Sequence, residues 1–257
     1  MKILTWNMGA AFGFRGAKHE LAWEWLNAQD ADVALLQEVV PRPEFSSAWG
    51  STIWTNKYQN WGSAVLTKAN QHVKWSPTDA HPWLRRIGGA VAIAQPVEPD
   101  GLWFVSVHSD ASSFENTHKR YPKTYAHLPS RDGIARCSTT EMWEIEPLAH
   151  ELRPTLRGQQ FVMGGDLNSS RLFDTTSEGE NWRLFENLKS QGYLDLGTRQ
   201  GVSERQTYFK QNARPFQLDY VFGDALTESR VRSWQVHTQA AQELNLSDHA
   251  PIEIEID

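Results

Sequence analysis

The segment Leu246-Ser247-Asp248-His249-Ala250-Pro251-Ile252-Glu253-Ile254-Glu255-Ile256 places an acid and an imidazole side by side just before a closing apolar run. A short apolar run is a candidate buried strand, and a polar side chain at its edge can point into a shared cleft. Four other stretches repeat this context: Asn7 after 3–6, Glu38 after 33–36, Asp166 and Asn168 after 161–163, and Asp219 before 220–222. This recurrence predicts an active site at the ends of several strands.

Apolar runs along the chain predict many strands and few helices. The predicted strands lie near residues 2–6, 33–37, 63–67, 90–94, 103–107, 161–163, 219–222, 231–236 and 252–256. Three apolar stripes predict helices: Leu21, Trp25 and Leu26; Met142, Ile145, Ala149 and Leu152; and Trp182, Phe185 and Leu188. Ser138 with Glu141, and Ser177 with Glu180, resemble capping boxes for the second and third helices. The mixed order of these elements predicts an α/β protein in which two packed β-sheets have helices on the outside.

Length and composition favour a single domain over 1–257. The chain has 257 residues, of which 40% are hydrophobic, so a substantial core can form. The candidate site residues run from Asn7 to His249, and a boundary between two independent domains would separate groups that must converge. We expect a monomer.

The N-terminus and the cysteine content favour a cytoplasmic protein without membrane insertion. Met1-Lys2 leads at once into the first predicted strand, and no apolar run approaches membrane-spanning length. Cys137 is the single cysteine, so an intramolecular disulfide is impossible. The formal net charge of −6 argues against a generally basic surface that coats nucleic acid. A local positive groove or a bound metal can still attract a phosphate, so net charge leaves the substrate open.

The residue types at the strand ends suit metal-assisted phosphoryl transfer. Glu38, Asp166 and Asp248 are hard oxygen donors of the kind that Mg²⁺ prefers, and Asn7 and Asn168 add amide groups. Paired cysteines or a His-x-x-x-His spacing, which would indicate structural zinc, are absent from the sequence. Hydrolysis of a phosphoester needs a metal that neutralises an oxygen, a base that orients water, and donors that hold the developing charge.

Six short motifs together resemble the endonuclease/exonuclease/phosphatase superfamily, in its deoxyribonuclease-I-like form. They span nearly the whole chain in the family's order: Trp6-Asn7, Leu36-Gln37-Glu38-Val39, Val107-His108-Ser109, Gly165-Asp166-Leu167-Asn168, Leu218-Asp219-Tyr220-Val221 and Ser247-Asp248-His249. Each motif alone is weak, but six in order are specific. The resemblance implies a four-layer α/β sandwich with two mixed β-sheets, and a metal and scissile phosphate at one end of the sheets.

The resemblance also implies how the metal and the water are held. Glu38 would be the main ligand of Mg²⁺, for which Mn²⁺ can substitute. Asn7 and Asp248 would contribute directly or through water. Asp166 would orient or deprotonate the attacking water. The apurinic-endonuclease branch often carries an acid two residues after the asparagine, where this chain has Gly9.

The remaining motifs imply contacts to the phosphate. Asn168 would donate to a phosphate oxygen, and His249 would contact the scissile phosphate while Asp219 fixes its tautomer and favours the imidazolium. His108 matches the strand-end histidine of the deoxyribonuclease-I-like and sphingomyelinase-like branches. Its implied role is electrostatic stabilisation or protonation of the leaving group. The sequence shows no obvious carboxylate partner for His108.

Two basic stretches are candidates for binding the substrate. The segment 117–136 holds five cationic residues and one acidic residue, and its Lys119, Arg120, Lys123 and Arg136 could bind flanking phosphates. The alternative is a solvated loop. The loop 81–86 sets Trp83 beside Arg85, which suits a ligand that carries phosphate, with ordinary packing as the alternative.

The predicted function is a Mg²⁺-dependent phosphodiester hydrolase, and first of all a DNA nuclease. A phosphatase or phospholipase that acts on a small phosphorylated or lipid head-group substrate is the alternative enzyme. A catalytically inactive nucleic-acid-binding domain is the alternative from another class. It is disfavoured because a dead relative would not need Glu38, Asp166, Asn168, Asp219 and His249 together.

Overall fold

The computed structural model describes residues 1–58, 60–81, 84–111, 143–176, 179–199, 201, 203–210 and 214–257. The described strands are β1 (Lys2–Asn7), β2 (Val33–Val39), β3 (Ser51–Tyr58), β4 (Trp61–Thr67), β5 (His72–Lys74), β6 (Val91–Pro96), β7 (Trp103–His108), β8 (Phe161–Asp166), β9 (Leu194–Asp195), β10 (Asp219–Gly223), β11 (Val231–Val236) and β12 (Ile252–Ile256). The described α-helices are α1 (Ala17–Ala28), α2 (Pro43–Ser46), α3 (Leu84–Ile87), α4 (Ile145–Leu156), α5 (Glu180–Ser190), α6 (Leu196–Arg199), α7 (Ala225–Arg230) and α8 (Thr238–Gln242).

The strands form two mixed six-stranded sheets. The first sheet has the order β11-β12-β1-β2-β4-β3, and the second sheet has the order β5-β6-β7-β8-β10-β9. The pairs β1–β2 and β7–β8 are parallel, and the other pairs are antiparallel. All nine strands predicted from the apolar runs are present. The edge strands β3, β5 and β9 were not predicted, because β5 and β9 are very short and β3 carries mostly polar residues.

The sheets and helices form four layers with three apolar interfaces. Leu35 of the first sheet and Val162 of the second belong to the core between the sheets. Leu26 of α1 packs on the outer face of the first sheet. Leu148 of α4 and Phe185 of α5 pack on the outer face of the second sheet. The predicted sandwich of two mixed sheets flanked by helices is therefore confirmed.

Two predicted helix details are wrong. In α1 the buried side chains are His19, Ala22, Trp23 and Leu26, whereas Leu21 is 51% exposed. The inward face of α1 is therefore rotated from the predicted stripe. Helix α5 begins at Glu180 with Gly179 as its N-cap, so Glu180 is the first helical residue and not the third, as the predicted capping box requires. Ser177 lies outside the described residues. The Asp174 carboxylate instead accepts the Trp182 N–H at 2.9 Å. Met142, Ser138 and Glu141 lie outside the described residues.

Strand register brings the ends of several strands to one edge of the sandwich. In the second sheet, Asp166 pairs with His108 of β7 on one side and with Asp219 of β10 on the other. In the first sheet, Asn7 pairs with Gln37. The sheets approach closely just below this edge, where a Cβ on Gly164 would lie 2.9 Å from Leu35 Cδ1.

Among the described helices, none has the length and apolar character needed to cross a membrane.

His19 is a buried titratable residue on α1. Burial lowers the pKa of His19 to about 4, and the charge of Arg42 acts in the same direction. The hydrogen bond to Val40 raises this pKa by a smaller amount. The folded protein therefore keeps this imidazole neutral where the unfolded chain would protonate it.

We predict that His19 makes stability fall as the pH drops. A histidine with a depressed pKa in the fold loses stability between its unfolded pKa, roughly 6.5, and its folded pKa near 4. The loss at the acidic end should be on the order of 3 kcal/mol. Urea unfolding of the wild type and of His19→Gln, from pH 8 to 4, measures it. Parallel stability curves for the two proteins would contradict the prediction.

Candidate active site

Seven predicted residues are linked to one another by contacts of 3.8 Å or less, and we call them the site cluster: Asn7, Glu38, His108, Asp166, Asn168, Asp219 and His249. Asn7, at the end of β1, bridges two of its carboxylates. The Asn7 amide nitrogen donates to Asp166 Oδ2 at 2.9 Å and lies 3.4 Å from Glu38 Oε1. The Asn7 amide oxygen accepts the Gly9 N–H at 2.9 Å. Asn7 thus orients two acids from different sheets.

Glu38 reaches the site cluster through a break in strand alternation. Ala34 and Leu36 face α1, so regular alternation would turn Glu38 toward the helix as well. The register with β4 instead shifts between Leu36 and Val39, and Glu38 has a left-handed φ of 45°. Val39 then takes the place facing α1. The bulge redirects the carboxylate to the edge between the sheets, where its Oε2 accepts the Ala11 N–H at 3.0 Å.

Asp166 is the most heavily hydrogen-bonded acid of the site cluster. Its Oδ1 accepts the Asn168 N–H at 2.7 Å, and its Oδ2 accepts the Asn168 side-chain amide at 3.1 Å. Asn168 adopts a left-handed φ of 48° and also donates to Ser109 O at 3.0 Å. The short turn after β8 thus fixes the orientation of the carboxylate.

His108 faces two carboxylates, so the expectation that it lacks such a partner is wrong. Its Nε2 lies 3.4 Å from Glu38 Oε1 and 3.8 Å from Asp166 Oδ2. These acids come from β2 and β8, far from His108 in sequence, which is why the motif alone did not reveal them.

Lys57 is a site residue that the sequence analysis missed. Its Nζ lies 3.4 Å from His108 Nδ1 and donates to His108 O at 3.2 Å. An ammonium has no acceptor, so His108 Nδ1 must accept, and the proton of the neutral ring lies on Nε2. Burial, followed by the charges of Lys57 and His249, lowers the pKa of His108 well below its usual value. The β-propensity of Ile53, Trp54 and Thr55 was the signal that could have located this strand.

His249 and Asp219 form a buried hydrogen-bonded pair. His249 Nδ1 lies 2.9 Å from Asp219 Oδ2, while His249 Nε2 lies 3.8 Å from Asp166 Oδ2. Burial alone would lower the pKa of His249, but the charges of Asp219 and Asp166 and the Asp219 hydrogen bond outweigh it and raise the pKa to about 10. The Trp6 indole N–H donates a hydrogen bond of 2.9 Å to the His249 carbonyl and so holds the backbone of this residue in place. His249 is therefore an imidazolium at neutral pH.

The site cluster and its neighbours carry an excess of buried negative charge. Burial raises the pKa of Glu38 and of Asp166, although the His249 charge acts in the opposite direction on both. Asp219 Oδ1 is buried and has no hydrogen-bond partner among the described residues. The half-buried Asp248 adds a further charge that raises the pKa of Glu38 and of His249. These oxygen donors fit a divalent cation.

Two acids and one histidine are close enough to suggest another ligand set. Ligand atoms of Asp166, Asp219 and His249 lie within 4.8 Å of one another. However, His249 Nδ1 is engaged by Asp219, and a protonated imidazole has no lone pair to give a metal. His249 is therefore not suited to bind a metal in this arrangement, and a cation would be held by carboxylate oxygens.

Of the predicted substrate-binding residues, Arg85 lies among the residues that the structure describes. Lys119, Arg120, Lys123, Arg136 and Trp83 lie outside the described residues. Arg85 is exposed and pairs with Asp79, and it lines a groove of about 530 Å³ beside Trp54 and Trp75. Its described contacts include no member of the site cluster.

Comparison with known families identifies the architecture around this cluster. The family model described as the Endonuclease/Exonuclease/phosphatase family matches residues 4–249. The chain belongs to this family. Its members are phosphoesterases that include nucleases and phosphatases. A search of curated protein sequences found no match.

Three solved structures share this fold. An AP endonuclease from Archaeoglobus fulgidus superposes with a TM-score of 0.73 at 13% identity, covering 100% of this chain and 99% of that one. A 3′-5′ exonuclease from Neisseria meningitidis gives 0.73 at 18% identity, with 100% of both chains covered. A 3′ phosphatase from Neisseria, bound to a product DNA hairpin, gives 0.69 at 17% identity, covering 100% and 99%. At these identities the likeness shows the fold.

We predict that Asp219→Asn lowers the pKa of His249 by roughly 1–3 units, because it removes the charge that raises this pKa most. NMR titration of the His249 ring in the metal-free protein measures the shift. Asp224→Asn is the matched control, since Asp224 caps α7 and does not contact His249. An unchanged His249 pKa in Asp219→Asn would refute the charge coupling.

Proposed function

We propose that this protein is a metal-dependent phosphodiester hydrolase that cleaves DNA. The observation that carries the proposal is the facing pair at the edge of the sandwich, where the Asp166 carboxylate and the His249 imidazolium lie 3.8 Å apart. One group can accept a proton from water, and the other can hold a negatively charged phosphate. A phosphoester bound beside this pair would meet both requirements of hydrolysis.

Glu38 would hold the metal, with Asp248 contributing from its half-buried position and Asn7 orienting the Glu38 carboxylate. Bound Mg²⁺, or Mn²⁺ in its place, would neutralise charge on a non-bridging or leaving oxygen. Asn7 donates to both acids, so its amide supports the metal-binding geometry. A direct bond from the Asn7 oxygen is less favoured, because that oxygen accepts the Gly9 N–H.

Asp166 orients the attacking water and accepts its proton. Burial raises the pKa of this carboxylate, which makes it a stronger base than an exposed aspartate. The side-chain amides of Asn7 and Asn168 donate to its Oδ2, and the Asn168 backbone N–H donates to its Oδ1. Asn168 would also donate to a phosphate oxygen when substrate displaces one of its present contacts.

His249 and His108 bind the phosphate in different protonation states. His249 supplies a full positive charge at Nε2, and Asp219 holds its ring in place. His108 supplies a neutral Nε2–H, because Lys57 donates to the opposite nitrogen. We therefore assign His108 to hydrogen bonding of a phosphate oxygen. Protonation of the leaving group by His108 is disfavoured by its lowered pKa.

A phosphatase is the second candidate. The fold is shared with a 3′ phosphatase bound to DNA, and the site cluster could equally hold a terminal phosphate. A purified-protein screen separates the candidates: plasmid DNA, single-stranded DNA, RNA, a 3′-phosphorylated oligonucleotide, phosphoinositides and bis(p-nitrophenyl) phosphate, each with Mg²⁺ or chelator. Preferential cleavage of internal DNA bonds supports the nuclease. Release of phosphate alone supports the phosphatase, and inertness toward every substrate would favour a binding domain.

We predict that activity requires a divalent metal held by Glu38. Excess chelator should abolish turnover, and Glu38→Ala should weaken Mn²⁺ binding in calorimetry as well as the rate. Asp166→Asn should lower kcat by roughly 10²-fold or more through loss of the base, with a smaller effect on Mn²⁺ affinity. Undiminished hydrolysis in chelator, or unchanged Mn²⁺ affinity in Glu38→Ala, would refute the metal site.

We predict from the sequence that the basic segment 117–136 contacts DNA phosphates outside the scissile bond. Replacing Lys119, Arg120 and Lys123 with Gln should lower kcat/KM on DNA and flatten its dependence on salt, because fewer counterions are released. Hydrolysis of bis(p-nitrophenyl) phosphate should barely change, since flanking phosphates exist only in a polymer.

A control variant removes the same charge elsewhere. Lys68, Arg157 and Lys189 are exposed, and their replacement with Gln should leave the salt dependence on DNA near that of wild type. Equal loss on both substrates, or an unchanged salt slope after substitution of the basic segment, would favour the small-substrate phosphatase.

A further inference from the structure

Glu38 has a backbone conformation that a glutamate residue does not favour. A non-glycine residue with a φ of 45° is strained, and such a conformation persists only where the surroundings hold it. The same bulge directs the carboxylate into the site cluster. Whatever fixes the backbone around Glu38 therefore also fixes the position of its carboxylate.

The backbone just after Glu38 is held by two side chains of α1. The Val40 N–H donates to His19 Nε2 at 3.1 Å, and the Val40 carbonyl accepts the Trp23 indole N–H at 3.3 Å. His19 Nε2 also lies 3.2 Å from the Val40 carbonyl, but a ring nitrogen that accepts from the amide cannot also donate there. His19 and Trp23 are four residues apart, so they project from the same face of the helix.

Both side chains are buried, and packing alone does not explain His19. His19 and Trp23 are each 1% exposed. His19 Nδ1 has no partner among the described residues, so this buried imidazole carries an unsatisfied polar group that an apolar side chain would avoid. Its visible polar contact is the one with Val40. The segment before α1 holds the carboxylate of Glu38 directly, since the Ala11 N–H donates to Glu38 Oε2.

We propose that His19 and Trp23 are positioning residues that hold the Glu38 carboxylate in its metal-binding geometry by fixing the Val40 peptide groups. The proposal deepens the function proposed above and rests on Glu38 as the metal-holding residue. Helix α1 is anchored in the outer core through Ala22 and Leu26, so it provides a rigid support for these two contacts. Groups that orient a metal ligand typically change metal affinity by roughly 10–100-fold when they are lost.

The test is Mn²⁺ binding to the metal-free, full-length protein, measured by calorimetry and combined with kcat and KM. His19→Leu should weaken Mn²⁺ binding roughly tenfold and lower kcat. His19→Gln offers an amide oxygen to the Val40 N–H and should recover most of the affinity. Trp23→Phe removes the indole donor together with part of the ring, and it should produce a smaller loss in the same direction.

The control is Leu26→Ala, which weakens the packing of the same helix without removing a hydrogen bond to Val40, because a leucine side chain has no donor or acceptor. All variants are compared at a temperature where thermal unfolding shows them folded. The proposal is overturned if Leu26→Ala loses as much Mn²⁺ affinity as His19→Leu, or if His19→Leu and Trp23→Phe bind Mn²⁺ like wild type. If His19→Leu does not fold, Trp23→Phe and His19→Gln decide by the same comparison. Unchanged binding in Glu38→Ala would instead refute the metal role of Glu38.

Discussion

Three carboxylates, those of Glu38, Asp166 and Asp219, are buried where the ends of the two sheets meet, and burial of an unpaired ionised carboxylate costs several kcal/mol. The surroundings offset this cost in part. Asn7 bridges Glu38 and Asp166, and the His249 imidazolium contacts Asp166 and Asp219. The remaining negative charge makes the cluster a good host for a cation. Folding of the strand ends and the proposed chemistry therefore depend on the same electrostatic balance.

Two histidines in this cluster show how neighbouring groups decide the protonation state of a side chain. His249 contacts Asp219, and the resulting charge interaction raises its pKa and keeps it protonated. His108 contacts Lys57 on its Nδ1 side, and burial together with that charge lowers its pKa. The same side chain thus supplies an imidazolium at one position and a neutral donor at the other. Such a pair can hold two phosphate oxygens without both histidines competing for one proton.

The bulge at Glu38 links the active edge to the outer helical layer. A regular β2 would have turned this carboxylate toward α1, and the left-handed residue turns it into the cluster instead. Contacts from α1 to Val40 lie directly beyond the bulge. The first 40 residues therefore contribute the Asn7 amide, the Glu38 carboxylate and the support for both.

Much of the architecture followed from the sequence because apolar runs report burial directly. Runs that are apolar on both faces must lie inside a covered sheet. Polar residues at the ends of such runs must either be exposed to water or contact one another. The same local rules failed where the answer depended on distant neighbours. The exposure of Leu21 is such a case, because the face that α1 buries is set by the sheet on which the helix packs.

The sequence by itself determined which residues stand at the strand ends, because strand alternation and motif order are local properties. Only the tertiary structure decided how those residues act. It placed Lys57 beside His108 and Asp166 within 3.8 Å of His249. It also turned the Glu38 side chain away from the face of β2 that regular alternation predicts. Protonation states and side-chain directions depend on charges and contacts from other strands, and those partners meet only when the two sheets pack.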